Sequence, residues 1–311
     1  MPEIAEVTWL VDTLNKHVKG AQILSTKVFQ HNIVYPSATD AKAKSLEDAQ
    51  SFLDTELAPV GTTPLQIAGV FRRGKYVIID LQAPGHPEHK KTILSHLGFT
   101  GWWIPSWAAK ASPETFIEGI YLSHTKIVVE TDKGPLHFTD SRALAKIFVF
   151  PGLEATLNSR YLKDMGPDAH SPEGNTVLLK TLQKTGRRVR DVILDQRTAC
   201  GIGNYLACEA LNRAKLHGAE RAKTLTQKQR MDLVKAVNEV INLALKEETN
   251  HWWRVFRRKE TPDGNPVTRE SWGRRGHYLA YAEQPKPEGW PGYAGTPQSS
   301  SEGDDSSEPL R

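Results

Sequence analysis

Between Glu3 and Val18, the apolar residues Val7, Leu10, Val11, Leu14 and Val18 recur at the spacing of one helix face, and a helix is predicted there. From about Gln22 the pattern changes. Val70-Phe71, Tyr76 to Leu81, Ile127 to Glu130 and Lys146 to Phe150 are short runs rich in β-branched and aromatic residues, which predict strands. Gly74, Gly98, Gly101 and Lys133-Gly134 punctuate them. Val34 to Pro59 contains a polar, helix-permissive stretch that reads as an insertion. After Pro151-Gly152 the helical period returns, over Leu178 to Gln183, Asn204 to Ala214 and Thr226 to Glu247. The last is strongly amphipathic, with Met231, Leu233, Val234, Val237, Val240, Ile241 and Leu245. His251 to Tyr281 is basic and aromatic, with a Pro-Asp-Gly-Asn turn at 262–265. From about Pro285 onward Pro, Gly and Ser dominate, and a disordered tail is expected. There is no internal repeat.

The pattern predicts an α+β multidomain chain. A mainly β domain covers residues 1–150, a helical domain 151–250, a small hairpin 251–284 and the tail 285–311. A length of 311 residues supports more than one core. No run approaches the roughly 20 apolar residues of a membrane helix. The chain start lacks a basic stretch followed by an apolar one, so no secretory signal is expected. Cys200 and Cys208 alone make no disulfide framework, which points to a reducing compartment, and they cannot supply a four-cysteine zinc site. The net charge is +4 but uneven. From Gln284 to Arg311 five acids face two bases, so the tail is −3 and the remainder is +7. A basic body suits a polyanionic partner.

The chemistry begins at the first residues. Pro2 is small enough for Met1 to be removed, which leaves a free secondary amine. Such an amine can attack an aldehyde or a sugar C1′ and form an iminium. Glu3, its neighbour, can move protons at the same carbon. A Met-Pro start is also common without consequence, and an acid at a helix start is favourable in itself. The remaining segments decide between these readings. Arg72-Arg73-Gly74-Lys75-Tyr76 is followed by His96-Leu97-Gly98-Phe99-Thr100-Gly101 and by Asp140-Ser141-Arg142. Then come Leu194-Asp195-Gln196, Gly201-Ile202-Gly203-Asn204-Tyr205 and Glu209-Ala210-Leu211. In order and spacing, from Met1 to about Gln284, these segments resemble the formamidopyrimidine-DNA glycosylase/endonuclease VIII family.

The resemblance implies an N-terminal β-sandwich flanked by helices and, for function, a bifunctional DNA glycosylase and abasic-site lyase acting on oxidised bases flipped from the duplex. Pro2 would be the nucleophile, Glu3 the proton-handling acid, and Lys75 a contact to the lesion-site phosphate. Glu6 would support the site at the DNA or simply extend the acidic first turn. Arg142 matches the arginine that pairs with the orphaned opposite base. Phe99 and Leu144 stand where the family has methionine and phenylalanine void-fillers, and an apolar wedge suits either. A core role is the alternative for both. His124 matches a phosphate-contacting histidine. Gly201-Ile202-Gly203-Asn204 resembles the family's helix-two-turn-helix, with Asn204 as cap and phosphate donor together. Arg187, Arg188 and Arg190 add positive potential nearby, suited to backbone phosphates or to a solvated face. In the hairpin, Ala280 and Glu283 occupy the places of a zinc-ligand cysteine pair, so the resemblance is to zincless-finger members, with no cofactor. Arg275 is then the finger arginine on the lesion-flanking phosphates, with Arg274 as its rival. The His86-Pro87-Glu88-His89 cluster is a weak metal candidate that reads better as a surface loop. Glu248 to Trp253 runs almost directly into the finger, without the loop that caps 8-oxoguanine in bacterial members. Formamidopyrimidines and hydantoins are therefore expected to be better substrates than 8-oxoguanine. The partner is double-stranded DNA with oxidised bases or abasic sites, the chain a monomer, and the compartment the nucleus, or the cytoplasm outside eukaryotes. The competing readings are a non-catalytic sensor of damaged DNA and an RNA-binding protein.

Overall fold

The structure is a computed structural model that describes residues 2–36, 41–107, 122–247, 250–272 and 275–287. The side chains of Ser271, Trp272 and Arg275 lie outside the description, as does the expected tail from residue 288. The chain divides into two compact units, Met1–Met165 with Ala244–Thr249, and Gly166–Leu243 with Asn250–Arg311. The sequence pattern put a boundary at residue 150; the first unit continues to Met165.

The first unit opens with α1 (Ile4–Val18) and contains β1 (Ile23–Val28), α2 (Leu46–Glu56), β2 (Gln66–Arg73), β3 (Tyr76–Ala83), β4 (His86–His96), β5 (Trp102–Pro105), β6 (Thr125–Thr131), β7 (Gly134–Thr139), β8 (Lys146–Phe150) and α3 (Leu153–Leu157). The strands form two antiparallel four-stranded sheets, ordered β2-β3-β4-β8 and β1-β6-β7-β5. One core joins their facing sides with the apolar face of α1: Val7, Leu10 and Leu14 pack with Val77, Ile79, Trp103 and Phe138. The indole N–H of Trp103 in one sheet donates to the Ser95 hydroxyl in the other at 3.0 Å. Asn15 of α1 covers the edge strand β2 by a reciprocal pair with Val70, donating to its carbonyl at 2.7 Å and accepting from its N–H at 2.9 Å. An edge strand so covered cannot recruit a stray strand.

The second unit holds α4 (Pro172–Lys184), α5 (Val189–Ile193), α6 (Asn204–Arg213), most of α7 (Gln227–Lys246) and the hairpin β9 (Thr268–Trp272) and β10 (Arg275–Leu279). Ser171 caps α4 by accepting the Gly174 N–H at 2.9 Å. The α5–α6 link is clamped by Gln196. Its amide donates to the carbonyls of Leu194 and Ile202 and accepts the Gly201 N–H, each at 2.9 Å. The Pro-Asp-Gly-Asn turn closes a loop ahead of β9, where Thr261 N–H meets the Asn265 carbonyl at 2.8 Å. No described helix is long and apolar enough to cross a membrane.

Candidate active site and nucleic-acid interface

Four places carry the chemistry-bearing residues. The first is the start of α1. Pro2 and Glu3 are buried, and Glu3 is the residue from which the helix springs. Its backbone N–H donates to the Glu6 carboxylate at 2.8 Å, closing a capping box. Glu6 is 2 % exposed, and its carboxylate fixes the backbone of Glu3. The helix dipole presents positive potential to this end.

The second is one end of the β2-β3-β4-β8 sheet. Gly74-Lys75 is the turn joining β2 to β3, which places Lys75 at a hairpin tip. His96, at the end of β4, pairs in register with both Tyr76 and Lys146. Its ring lies 5.0 Å from that of Tyr76. Burial, reinforced by the positive charges of Lys75 and Lys146, pushes its pKa down to about 4. The ring is neutral at neutral pH. Its Nδ1 accepts the Gly98 N–H at 3.3 Å, so Nε2 carries the proton and is a fixed donor. The sequence does not single out His96; its register with Tyr76 and Lys146, next to the turn that holds Lys75, is what reveals it. Arg72 and Arg73 are half-buried and turned to backbone, Arg72 to the Gly74 carbonyl at 3.4 Å and Arg73 to that of Met165 at 3.0 Å.

The third is a pair of loops organised by Asp140. This fully buried carboxylate accepts the Thr100 hydroxyl and the N–H groups of Arg142 (3.2 Å), Leu144 (2.8 Å) and Ala145 (2.8 Å). Gly98 has φ +62°, and a Cβ there would stand 2.9 Å from the backbone of Leu144, so only glycine lets the loops close. Phe99, Arg142 and Leu144 are brought together at this place. Phe99 is 43 % and Leu144 51 % exposed, which removes the core alternative for both. The Arg142 guanidinium lies 5.6 Å from the Phe99 ring centroid. His124, in a short 3-10 turn before β6, accepts the Asp140 N–H on its carbonyl at 3.1 Å and so borders the same loops.

The fourth lies in the second unit. Gly203, not Asn204, is the N-cap of α6, which corrects the expected capping role of Asn204. The Asn204 amide instead donates to the Gly276 carbonyl of β10 at 2.8 Å and accepts from Arg190 at 2.9 Å. Arg190 is 4 % exposed and belongs to this internal relay, which corrects its reading as surface charge. Arg187 is committed too, in an ion pair with Asp195 at 2.8 Å. Hydrogen bonds from Arg197, outweighing burial, and from Arg187 hold the Asp195 pKa down to about 2. Arg188 is half-buried at the N-cap of α5. Arg274 and the side chain of Arg275 lie outside the described residues.

The positions of the expected cysteine pair do not fit zinc. Ala280 has no donor and is buried with Cys208 and Val255. The Glu283 carboxylate is occupied by Lys215, by Asn265 at 3.0 Å, by Asn212 at 3.2 Å and by Arg254 at 3.4 Å. His86 and His89 stand with Glu88 at the start of strand β4, so the expected surface loop there is strand.

Comparison with known proteins agrees with this geometry. Residues 1–147 match the model of the formamidopyrimidine-DNA glycosylase N-terminal domain, and residues 165–252 that of the formamidopyrimidine-DNA glycosylase H2TH domain. A formamidopyrimidine-DNA glycosylase of Desulforamulus reducens is 27 % identical over 308 residues, covering 92 % of this chain and all of the relative. That of Bacillus subtilis is 30 % identical over 231 residues, covering 73 % of this chain and 72 % of the relative. The fold is shared with the Lactococcus lactis enzyme, solved non-covalently bound to DNA containing an abasic site, at a TM-score of 0.71 and 19 % identity over 91 % of this chain and 100 % of that one. With both domain types matched in order and each place above falling on a matched or adjoining segment, the chain belongs to the formamidopyrimidine-DNA glycosylase family.

Proposed function

We propose that this chain is a bifunctional DNA glycosylase and abasic-site lyase of base excision repair. The observation that carries the proposal is the start of α1, where Pro2 adjoins a buried Glu3 whose backbone is fixed by Glu6. With Met1 removed, the Pro2 nitrogen is a secondary amine. An α-amino group titrates near 8, and the positive helix end lowers the cost of keeping it neutral. The nitrogen attacks C1′ of the damaged nucleotide. The glycosidic bond breaks, its electron pair leaving with the base, which takes up the proton that the attacking nitrogen gives up. Glu3 protonates the deoxyribose ring oxygen as the ring opens to the iminium. That cation acidifies the neighbouring carbon. Loss of its proton expels the 3′ phosphate by β-elimination, and δ-elimination then releases the 5′ phosphate.

The other places supply binding. Lys75 and the Nε2–H of His96 meet phosphate at the lesion. Arg142 reads the opposite base, while Phe99 and Leu144 fill the space that the flipped nucleotide leaves. His124, Arg188, Asn204 and Arg275 serve the flanking backbone. The finger works without zinc. The helix α7 ends at Lys246, and the turn at Val255 that begins the finger follows closely. So short a connection leaves no cap over 8-oxoguanine, and formamidopyrimidines and hydantoins are the preferred lesions.

Borohydride trapping tests this. Reduction in the presence of abasic, formamidopyrimidine or 8-oxoguanine duplexes is expected to leave a covalent adduct on a denaturing gel, weakest with 8-oxoguanine. A chain extended at its N-terminus, whose Pro2 nitrogen is an amide, is expected to form none. Tight binding with no adduct on any lesion would sink the catalytic reading. Comparable excision of 8-oxoguanine and formamidopyrimidines would sink the lesion preference.

A further inference from the structure

The hairpin carries a row of side chains that the proposed mechanism does not use. Ahead of the turn at 262–265, the Arg258 N–H donates to the Val255 carbonyl at 3.2 Å, closing a tight turn with Arg257 at φ +56°. Glycine takes that turn position without steric cost, whereas arginine adopts it against its preference. The turn is held from inside. The fully buried Glu209 carboxylate accepts the N–H groups of Arg254 (2.8 Å), Val255 (2.9 Å) and Phe256 (2.8 Å), and a guanidinium N–H of Arg213 (2.8 Å). Four donors on one buried carboxylate fix a strained residue whose side chain is exposed. Strain kept in this way points to use of the side chain.

The row continues across the hairpin. The Arg257 guanidinium lies 5.7 Å from the Phe256 ring centroid, and that ring meets Tyr278 edge-on at 5.0 Å. Tyr278 is the cross-strand partner of Arg269. Arg269 is exposed and lies over Gly276, where a Cβ would stand 2.3 Å from its Nε. Gly276 is the residue whose carbonyl Asn204 holds. Among the described residues, no carboxylate forms an ion pair with Arg269. Two exposed guanidiniums, one at each end of an aromatic pair, suit phosphates with a sugar between them.

We infer that Arg257 and Arg269 are two further phosphate contacts, by which the aromatic row of the hairpin grips the backbone of the duplex. This rests on the DNA-repair reading above. The test is equilibrium binding of the full chain to a duplex bearing a tetrahydrofuran abasic analogue, followed against KCl concentration. Arg257→Gly and Arg269→Ala are each expected to lower the slope of log affinity against log salt by about one, and the double variant by about two. Arg257→Gly is also expected to raise the melting temperature, since it relieves the turn, so its weaker binding is not a loss of fold. Lys228→Ala removes an exposed charge from α7 and is expected to keep the wild-type slope. Slopes for Arg257→Gly and Arg269→Ala equal to that of a salt-dependent wild type would overturn the inference alone. A wild-type chain that neither binds this duplex nor traps on an abasic one would overturn both readings.

Discussion

At the scale of single residues, the site depends on buried carboxylates that hold its backbone in place. Asp140 is the clearest case. It gathers one hydroxyl and three backbone N–H groups, and only thereby do Phe99, Arg142 and Leu144 project together. Replacing it with alanine leaves those donors unpaired in a buried place. The expected cost is about 2–4 kcal/mol, since bonds to a charged acceptor are worth roughly 1.5–3 kcal/mol and unsatisfied donors add to the loss. Asp140→Asn keeps one acceptor oxygen and is expected to lose less. Urea melts give the stability, and trapping yields at limiting enzyme give the function. A stable Asp140→Ala chain with wild-type trapping would show that the loops organise themselves. The motif Asp140-Ser141-Arg142 was legible in the sequence, but the division of labour within it was not. Nothing in the spacing says that the aspartate turns inward and the arginine outward.

Elements were legible where burial imposes a period. The helices α1, α6 and α7 follow their apolar stripes to within a residue or so of the expected ends. The strand β4 was missed altogether: His86 to Lys90 is mostly exposed and shows no alternation, and only four residues beyond it are buried. The strand β5 has only four residues, all buried, and α5 only five, too few to display a period. Asn204 was misread for a different reason. A short polar residue at a helix start is a capping signal in general, and only the fold shows that Gly203 takes that place and frees the amide to tie α6 to β10. Asn204→Ala is therefore expected to destabilise the second unit by about 1–3 kcal/mol, because buried Arg190 loses an acceptor and the Gly276 carbonyl a donor. Amide exchange should quicken in β10 well before it does in α4. Uniform exchange rates across both elements would remove Asn204 from its role as a tie.

For the whole molecule, the question is what holds the hairpin down without thiolates. Apolar contact of Ala280 with Cys208 and Val255 supplies part. The rest converges on Glu283, which joins Lys215 and Asn212 at the end of α6 to Arg254 and to Asn265 in the turn before β9. Burial alone would raise its pKa, but hydrogen bonds from Lys215, Asn265 and Thr261 outweigh it and bring the pKa down to about 2. The sign of the pH dependence follows. The folded chain holds this carboxylate ionised while the unfolded chain protonates it near its ordinary value of 4.5. Its contribution is complete above that value and is lost as pH falls toward about 2. Glu283→Gln is expected to cost about 1–3 kcal/mol at neutral pH, the worth of hydrogen bonds to a charged group. Its stability should then fall less steeply than that of the wild type across the acid window, and the two curves should converge. Thermal melts taken from neutral pH downward decide it, and curves that stay parallel would show that Glu283 is not the hub. EDTA should leave both melts unmoved, because a carboxylate committed to two cations has no place for a third.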